Sequence, residues 1–318
     1  MSGHVWPKGT LGLNYPKFLQ RYGLEARGEP APLTGGEDNR LARIATDRGD
    51  VVIREYLHSR HRKVSAEVAL LEHLADGGFP TPKPIHPLLG ERVALLAGNP
   101  VVVFPFVSGA VPEAMTEALA VRCGALLARM HTVTAGWADE RIPVIDRRGI
   151  LEQAAASDVK LAGARFWRVE ARGFLERHAA ALERLAALPS GPLHHDLHRQ
   201  NLLVDGDEVV AVLDFDELNH GPLVLDLARW CHYAAVEQED LRLPAGLAAA
   251  LVAGYERVRP LSAAERELLP LAFDLVGIVD ASSFLMWAAP YLDIESVGGC
   301  RSWKAYLANR GGAALTPL

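Results

Sequence analysis

Leu193-His194-His195-Asp196-Leu197-His198-Arg199-Gln200-Asn201, followed by Val212-Leu213-Asp214-Phe215-Asp216-Glu217, decides how this chain is read. An Asp and an Asn stand five residues apart, and after an apolar run a second acidic cluster begins eighteen residues past the first Asp. Phosphoryl transfer from ATP uses such a set. A carboxylate orients or deprotonates the attacking hydroxyl, while an amide and a second carboxylate hold Mg²⁺ on the phosphates. Asp196 is the candidate base, and Asn201 and Asp214 are the candidate metal ligands. Mg²⁺ takes oxygen donors and needs only one or two carboxylates, with phosphate and water filling the rest of its shell. The segment follows a break at Pro189, Ser190 and Gly191 and precedes a β-branched run, so a loop is expected. Asp and Asn are also common turn formers. The intervening hydrophobic hairpin and an Asp at its end favour the catalytic reading over a chance Asp-x₄-Asn match.

Working outward, 318 residues leave room for two domains, or for two lobes around one cleft. A hydrophobic fraction of 49% and a charged fraction of 23% fit a globular chain with a sizeable core. The net charge of −6 and a pI near 6.1 argue against general nucleic-acid binding. Residues 54–63 (REYLHSRHRK) form the one basic cluster and are too few to reverse that. Cys123, Cys231 and Cys300 are odd in number and widely spaced, so they read as reduced thiols. The N-terminus has no basic segment followed by an apolar one, and no apolar run approaches the roughly 18 residues of a membrane span. A cytoplasmic protein with neither membrane nor nucleic-acid partner is expected.

The pattern along the chain changes once. One short helix is expected around residues 16–22. Gly35-Gly36 marks a turn before a β-branched run at 41–45, and Asp47-Arg48-Gly49-Asp50 marks another before Val51-Val52-Ile53. Residues 65–74 (SAEVALLEHL) have helical spacing and stop at Gly77-Gly78. Further strands are expected at 93–96, 101–104, 202–204 and 209–213. From Pro112 the chain turns Ala/Leu-rich, with helices expected at 113–132, 150–158, 164–187, 223–237, 244–257, 262–288 and 302–309. This places an N-terminal nucleotide-binding lobe at 1–105 and a catalytic and substrate-binding lobe at 106–318, tethered near 104–109.

Residues 194–230 resemble the aminoglycoside phosphotransferase/choline kinase-like superfamily, in its H-x-D-x₄-N motif and its Ile/Leu-Asp-Phe/Trp motif. Asp226 in Leu225-Asp226-Leu227-Ala228 is similar to the family Asp that buttresses the catalytic loop. Gly35-Gly36-x-x-Asn39 is similar to its nucleotide loop, Glu67 to its helix Glu, Phe79-Pro80-Thr81-Pro82-Lys83-Pro84 to its Pro-rich connector, and residues 124–131 (GALLARMH) to a core helix. Residues 253–262 resemble the homoserine kinase-like branch. The resemblance implies an α+β, protein kinase-like bilobal fold with a small β-rich N-lobe and a larger, mainly helical C-lobe. It also implies ATP and Mg²⁺ as cofactors. Gly35, Gly36 and Asn39 would then lie over the phosphates. Arg54, where the family usually has Lys or Arg, would pair with Glu67 and the phosphates, with Lys63 as the fallback cation. The adenine would lie against the tether at Phe104 and Phe106, with Val52 and Val103 as apolar walls.

Several residues keep two readings. Gly35-Gly36 is also an ordinary hairpin turn, since no Gly-x₄-Gly-Lys-Ser/Thr loop exists. His194 and His198 are read as loop-packing residues, and His195 as a bulky residue where the family has a small one. Asp216 and Glu217 fit a second metal or substrate contact, or an exposed acidic turn. Trp167, Trp230, Trp287 and Trp303 are read as core, with a stacking wall as the lesser alternative. The acceptor is expected to be a small-molecule hydroxyl: an aminoglycoside or other antibiotic, an amino alcohol, an amino acid or a sugar. The early strands lack the Asn-Thr-Asn-Tyr-like stretch expected of homoserine kinase itself. The alternatives are a stress-type protein kinase, which autophosphorylation would reveal, and a nucleotide-binding module without turnover.

Overall fold

The computed structural model describes residues 14–33, 39–292 and 294–315. In chain order the elements are α1 (Tyr15–Leu19), β1 (Ala31–Pro32), β2 (Asn39–Thr46), β3 (Gly49–Tyr56), α2 (His61–Asp76), β4 (Ala94–Leu96) and β5 (Asn99–Pro105). There follow α3 (Glu117–Val133), α4 (Arg147–Ala156), α5 (Ala164–Ala186), β6 (Ser190–Leu193), β7 (Leu202–Asp205), β8 (Glu208–Val212) and β9 (Asn219–Pro222). The chain closes with α6 (Val224–Val236), α7 (Ala245–Glu256), α8 (Ala263–Ser283) and α9 (Arg301–Asn309). Two compact units result: Met1–Ala110 with Leu203–Asp216, and Val111–Leu202 with Glu217–Leu318.

The first unit is built on an antiparallel sheet in the order β1-β2-β3-β5-β4. The β2–β3 hairpin turns where expected. Gly49 takes φ 103°, and the Thr46 hydroxyl donates to the Gly49 carbonyl at 2.6 Å. Alternation then sorts the side chains. Ile44, Val51, Ile53, Val101 and Val103 bury one face against Tyr15, Phe18, Leu19 and Tyr22. Val52, Arg54, Val102 and Phe104 take the other face, with Val52 opposite Phe104 and Arg54 opposite Val102. Val103 is therefore core, not the adenine wall expected above. Helix α2 buries Val64, Glu67, Val68 and Leu71, an i, i+3, i+4, i+7 stripe, and packs on β5.

The β7–β8 hairpin turns at Gly206, φ 57°. Its backbone is tied to the first unit: Val212 N donates to Pro80 O at 2.7 Å, and Ala110 and Val204 exchange hydrogen bonds at 2.8 and 2.9 Å. These bonds carry Leu203–Asp216 out of the helical unit, in which the expected boundary at 105/106 had placed it.

In the second unit α3 and α7 pack with backbones nearly touching. A Cβ at Gly124 would lie 2.0 Å from the Leu251 carbonyl, and one at Gly254 2.0 Å from that of Val121. Trp167, Trp230 and Trp303 are buried core residues, while Trp287 is exposed. The short pair β6–β9, which sets Leu193 opposite Asn219, was not expected from a stretch rich in Gly and Pro. Helix α3 starts at Glu117, later than expected, because Thr116 caps it by accepting from Leu119 N at 3.2 Å. The expected helix at 262–288 ends as α-helix at Ser283 and continues as a π-helical turn, Phe284–Ala288. Against the expectation above, Ala263–Trp287 is long and apolar enough to cross a membrane by length and composition. Three of its five charges, Glu265, Arg266 and Glu267, are consecutive near its start, and 72% of its most apolar window is buried inside the protein.

Candidate active site

The loop 194–201 leaves β6, and β9 leads into α6 beside it, so strand pairing brings Asp226 to the start of the loop. The Asp226 carboxylate accepts from His194 N at 2.8 Å and His195 N at 2.7 Å. His131 Nε2 lies 3.2 Å from the same carboxylate, and its Nδ1 lies 2.7 Å from the Tyr255 hydroxyl. Burial alone would raise the Asp226 pKa; the hydrogen bond with His131 and the nearby histidines bring it below the ordinary value. The close α3–α7 packing is thus what sets His131 against Tyr255.

His195 has φ 62°, in the left-handed region where a small residue is at ease. Its imidazole is buried, and neither ring nitrogen has a hydrogen-bond partner among the described residues. Burial, and then the Arg229 and Arg147 guanidiniums, push its pKa down to about 3. The ring is neutral at pH 7. The unfolded chain takes up a proton below about pH 6.5 while the folded one does not. The resulting loss of stability reaches about 2 kcal/mol by pH 5. His195→Gly should abolish this acid sensitivity in denaturant melts at pH 5 and 7; an unchanged pH dependence would show that the ring does not set it.

Asp196 is fixed at both oxygens. Oδ1 accepts from the Tyr233 hydroxyl, and Oδ2 accepts from Asn201 Nδ2 at 3.0 Å with His198 Nε2 at 3.6 Å. Burial pushes its pKa up, but the hydrogen bonds from His198 and Tyr233 outweigh this and hold it at about 2. The group is a carboxylate at any physiological pH. Asn201 Nδ2 also donates to Asp196 O at 2.7 Å. These contacts orient the amide and leave Asn201 Oδ1 without a partner among the described residues. Arg229 completes the shell. It donates to His195 O at 3.2 Å and to the Tyr233 hydroxyl at 2.8 Å, and pairs with Asp280 at 2.6 Å. Tyr233, Arg229 and Asp280 were missed in the sequence. The available signal was spacing: Asp226, Arg229 and Tyr233 fall at i, i+3 and i+7 on one face of α6.

The first unit holds the other expected site residues except Gly35 and Gly36, which lie outside the described residues. Arg54 is buried, and its Nη2 lies 2.7 Å from Asp214 Oδ1 and 2.8 Å from Asp216 Oδ2. Its guanidinium sits over the Tyr56 ring, 4.7 Å from the centroid. Glu67 is farther, at 3.9 Å, and takes its hydrogen bond from the Tyr56 hydroxyl at 2.8 Å. The expected Arg54–Glu67 pairing is thus secondary to the aspartates. Burial raises the Glu67 pKa to about 7 against the pull of Arg54. Asp216 is not an exposed acidic turn; it accepts from Arg54 and from Asn39 Nδ2. Glu217 is exposed. Asp214 takes φ 63°, and its Oδ2 has no partner among the described residues. Phe104 is buried on the Arg54 face. The Phe106 ring lies under Arg43 at 3.8 Å, and its N–H is spent on Asp50 O at 2.9 Å, so this tether residue has no N–H left to read an adenine edge.

A five-stranded antiparallel sheet with its helix, then a helical unit carrying His-x-Asp-x₄-Asn on a loop, defines the kinase-like phosphotransferase class. The family model described as "Phosphotransferase enzyme family" (APH) matches residues 29–261, and the chain belongs to that family. It is similar to the homoserine kinase of Rhodopseudomonas palustris, 29% identical over 266 residues, covering 80% of this chain and 78% of that protein. The homoserine kinase of Hyphomonas neptunium is 31% identical over 276 residues, with 80% of each covered. Among solved structures, amicoumacin kinase hAmiN, in complex with AMP-PNP, Ca²⁺ and Ami, aligns with a TM-score of 0.69 at 16% identity over 96% of each chain. A microcompartment-associated aminopropanol kinase aligns with a TM-score of 0.66 at 20% identity over 95% of this chain and 98% of the other. The protein is a small-molecule kinase of homoserine kinase-like type.

Proposed function

We propose that this enzyme transfers the γ-phosphoryl group of ATP, with Mg²⁺, to a hydroxyl on a small molecule that also carries an amine. Homoserine and short amino alcohols are the first candidates. The observation that carries the phosphoryl-transfer reading is Asp196, an ionised carboxylate held at both oxygens by Tyr233 and Asn201. A base that weak orients a hydroxyl and accepts its proton late, which suits a loose transition state. A hydroxyl taking Oδ1 would displace Tyr233. The amine-bearing acceptor is favoured by relatives named for homoserine and a neighbour named for aminopropanol.

The metal reading has a donor set that fits. Asn201 Oδ1 and Asp214 Oδ2 are hard oxygens, and no protein group occupies either among the described residues. Bound there, Mg²⁺ would neutralise charge on the phosphates. Arg54 is the proposed phosphate cation, with Asp214 and Asp216 as its resting partners. Glu67, through Tyr56, keeps it aligned. Gly35, Gly36 and Asn39 are proposed for the phosphate loop, and Phe104 and Phe106 for the base.

An ADP-release assay across homoserine, 1-amino-2-propanol, choline, aminoglycosides and simple sugars tests the acceptor. Turnover on a hydroxylated amine is expected; turnover on sugars alone would overturn that part, and self-phosphorylation without acceptor would point to a protein-directed kinase. Asp214→Ala should abolish the Mg²⁺ dependence of nucleotide affinity in a titration, and an unchanged metal titration would move the ion elsewhere.

A further inference from the structure

A cavity of about 390 Å³ lies among α5, α8, α9 and the C-terminal segment, and no residue of the loop 194–201 lines it. Two of its walls are acids buried by nine-tenths or more, Glu170 on α5 at 9% exposure and Asp274 on α8 at 8%. The Glu170 Oε1 atom is well supplied: Arg177 donates at 2.8 Å, the Tyr306 hydroxyl at 2.8 Å, and Arg310 Nη1 lies 4.0 Å away. All three reach Oε1 and leave Oε2 to solvent. Asp274 Oδ2 accepts from Gly311 N at 2.8 Å, while its buried Oδ1 has no donor among them.

Two acids share this cavity, and the buried Oδ1 of one of them, Asp274, has no donor among the described residues, an arrangement that is costly by itself. A buried charged acceptor without a donor loses its hydration and gains nothing in return. Burial, and beyond it the Glu170 charge, push the Asp274 pKa up to about 6 against the help of the Gly311 N–H. The Arg310 charge relieves this only in part, and both Arg310 and Arg177 are half-exposed on the Glu170 Oε1 side, with neither donating to Asp274 Oδ1. What would relieve it is a compact cation with several donors. A metal ion is disfavoured, because no group of three or more His, Cys, Asp or Glu suited to one exists among the described residues. An ammonium has three donors on one atom and an apolar stem that the Phe174 and Tyr306 rings of the wall can cover.

We propose that this cavity binds a small primary-ammonium compound, at a site separate from the phosphotransfer residues. The proposal stands independently of which acceptor the enzyme phosphorylates.

Ethylammonium chloride is the probe, with sodium propionate as the control of opposite charge, followed by ligand-observed NMR on the full chain. Ethylammonium is expected to bind with a Kd on the order of 1 mM, and propionate is expected not to bind. Asp274→Asn keeps the shape and an acceptor for Gly311 N–H, and Glu170→Gln keeps its own shape; each should weaken binding at least about tenfold, the worth of one charged hydrogen bond. Asp196→Asn should bind as the parent does. Absence of binding at about 50 mM, or binding that survives both cavity variants, would overturn the proposal. Loss of binding in Asp196→Asn alone would put the ammonium at the catalytic loop and overturn it as well.

Discussion

Asp196→Ala should lower kcat roughly 10³-fold, the scale of a lost general base, while nucleotide affinity stays within about threefold. The separation of the two readouts follows from what the side chain touches. Its oxygens meet Tyr233, Asn201 and His198, all in the same unit, and none of the residues proposed for the nucleotide bonds to it. Single-turnover kinetics with saturating ATP, beside equilibrium nucleotide binding, measure the two effects separately. Retained turnover with lost ATP affinity would reverse the assignment. The variant has a stability signature too. A carboxylate whose pKa falls to about 2 on folding stabilises the native state above its unfolded pKa, and that stabilisation is lost as pH falls through 2. It amounts to about 2 kcal/mol at neutral pH. Asp196→Ala should therefore be less stable than the parent at pH 7, and the gap should close toward pH 2.

How much of this was legible in the sequence depends on the range of the interaction. Asp196 and Asn201 are five residues apart on one loop, so the contact between Asn201 Nδ2 and Asp196 is local and spacing reports it directly. The β2–β3 and β7–β8 hairpins were equally local, marked by Gly and Asp turns between β-branched runs. The β6–β9 pair joins segments about thirty residues apart through Gly and Pro, and no propensity announces it. The same holds for side chains. Tyr233 reaches Asp196 across 37 residues, and Arg54 reaches Asp214 across 160. From composition alone, Arg229 and Asp280 look like solvated helix charges. Burial gives them their role, and burial is a property of the packed unit. The family motif identified Asp214 as an acid at the end of a strand, but gave no hint that Arg54 rests on it.

Arg229→Met should cost about 3–5 kcal/mol of stability, the usual consequence of leaving one partner of a buried ion pair alone. The guanidinium is 8% exposed and spends every arm: Nη1 on Asp280, Nη2 on the Tyr233 hydroxyl and Nε on His195 O, with its plane over the Tyr233 ring at 4.5 Å. Burial would raise the Asp280 pKa, yet the neighbouring Arg229 charge and the hydrogen bond from His232 hold it well below the carboxylate range. Without Arg229, Asp280 keeps the Ser302 side chain and His232, whose Nε2 is 3.5 Å away, but loses its guanidinium, so it must take up a proton or stay charged and poorly paired. Arg229→Met with Asp280→Asn removes the stranded charge and should recover most of the lost stability, because the cost lay in breaking the pair. Turnover should not recover with it. Tyr233 would still lack its brace and His195 O its donor, so the Asp196 geometry stays loose and kcat should remain about tenfold down. Urea melts and kinetics on the same three proteins separate these effects. If kcat returned together with stability, Arg229 would only hold the fold; if kcat stayed low in a restored fold, Arg229 would be a positioning residue for Asp196, acting through Tyr233.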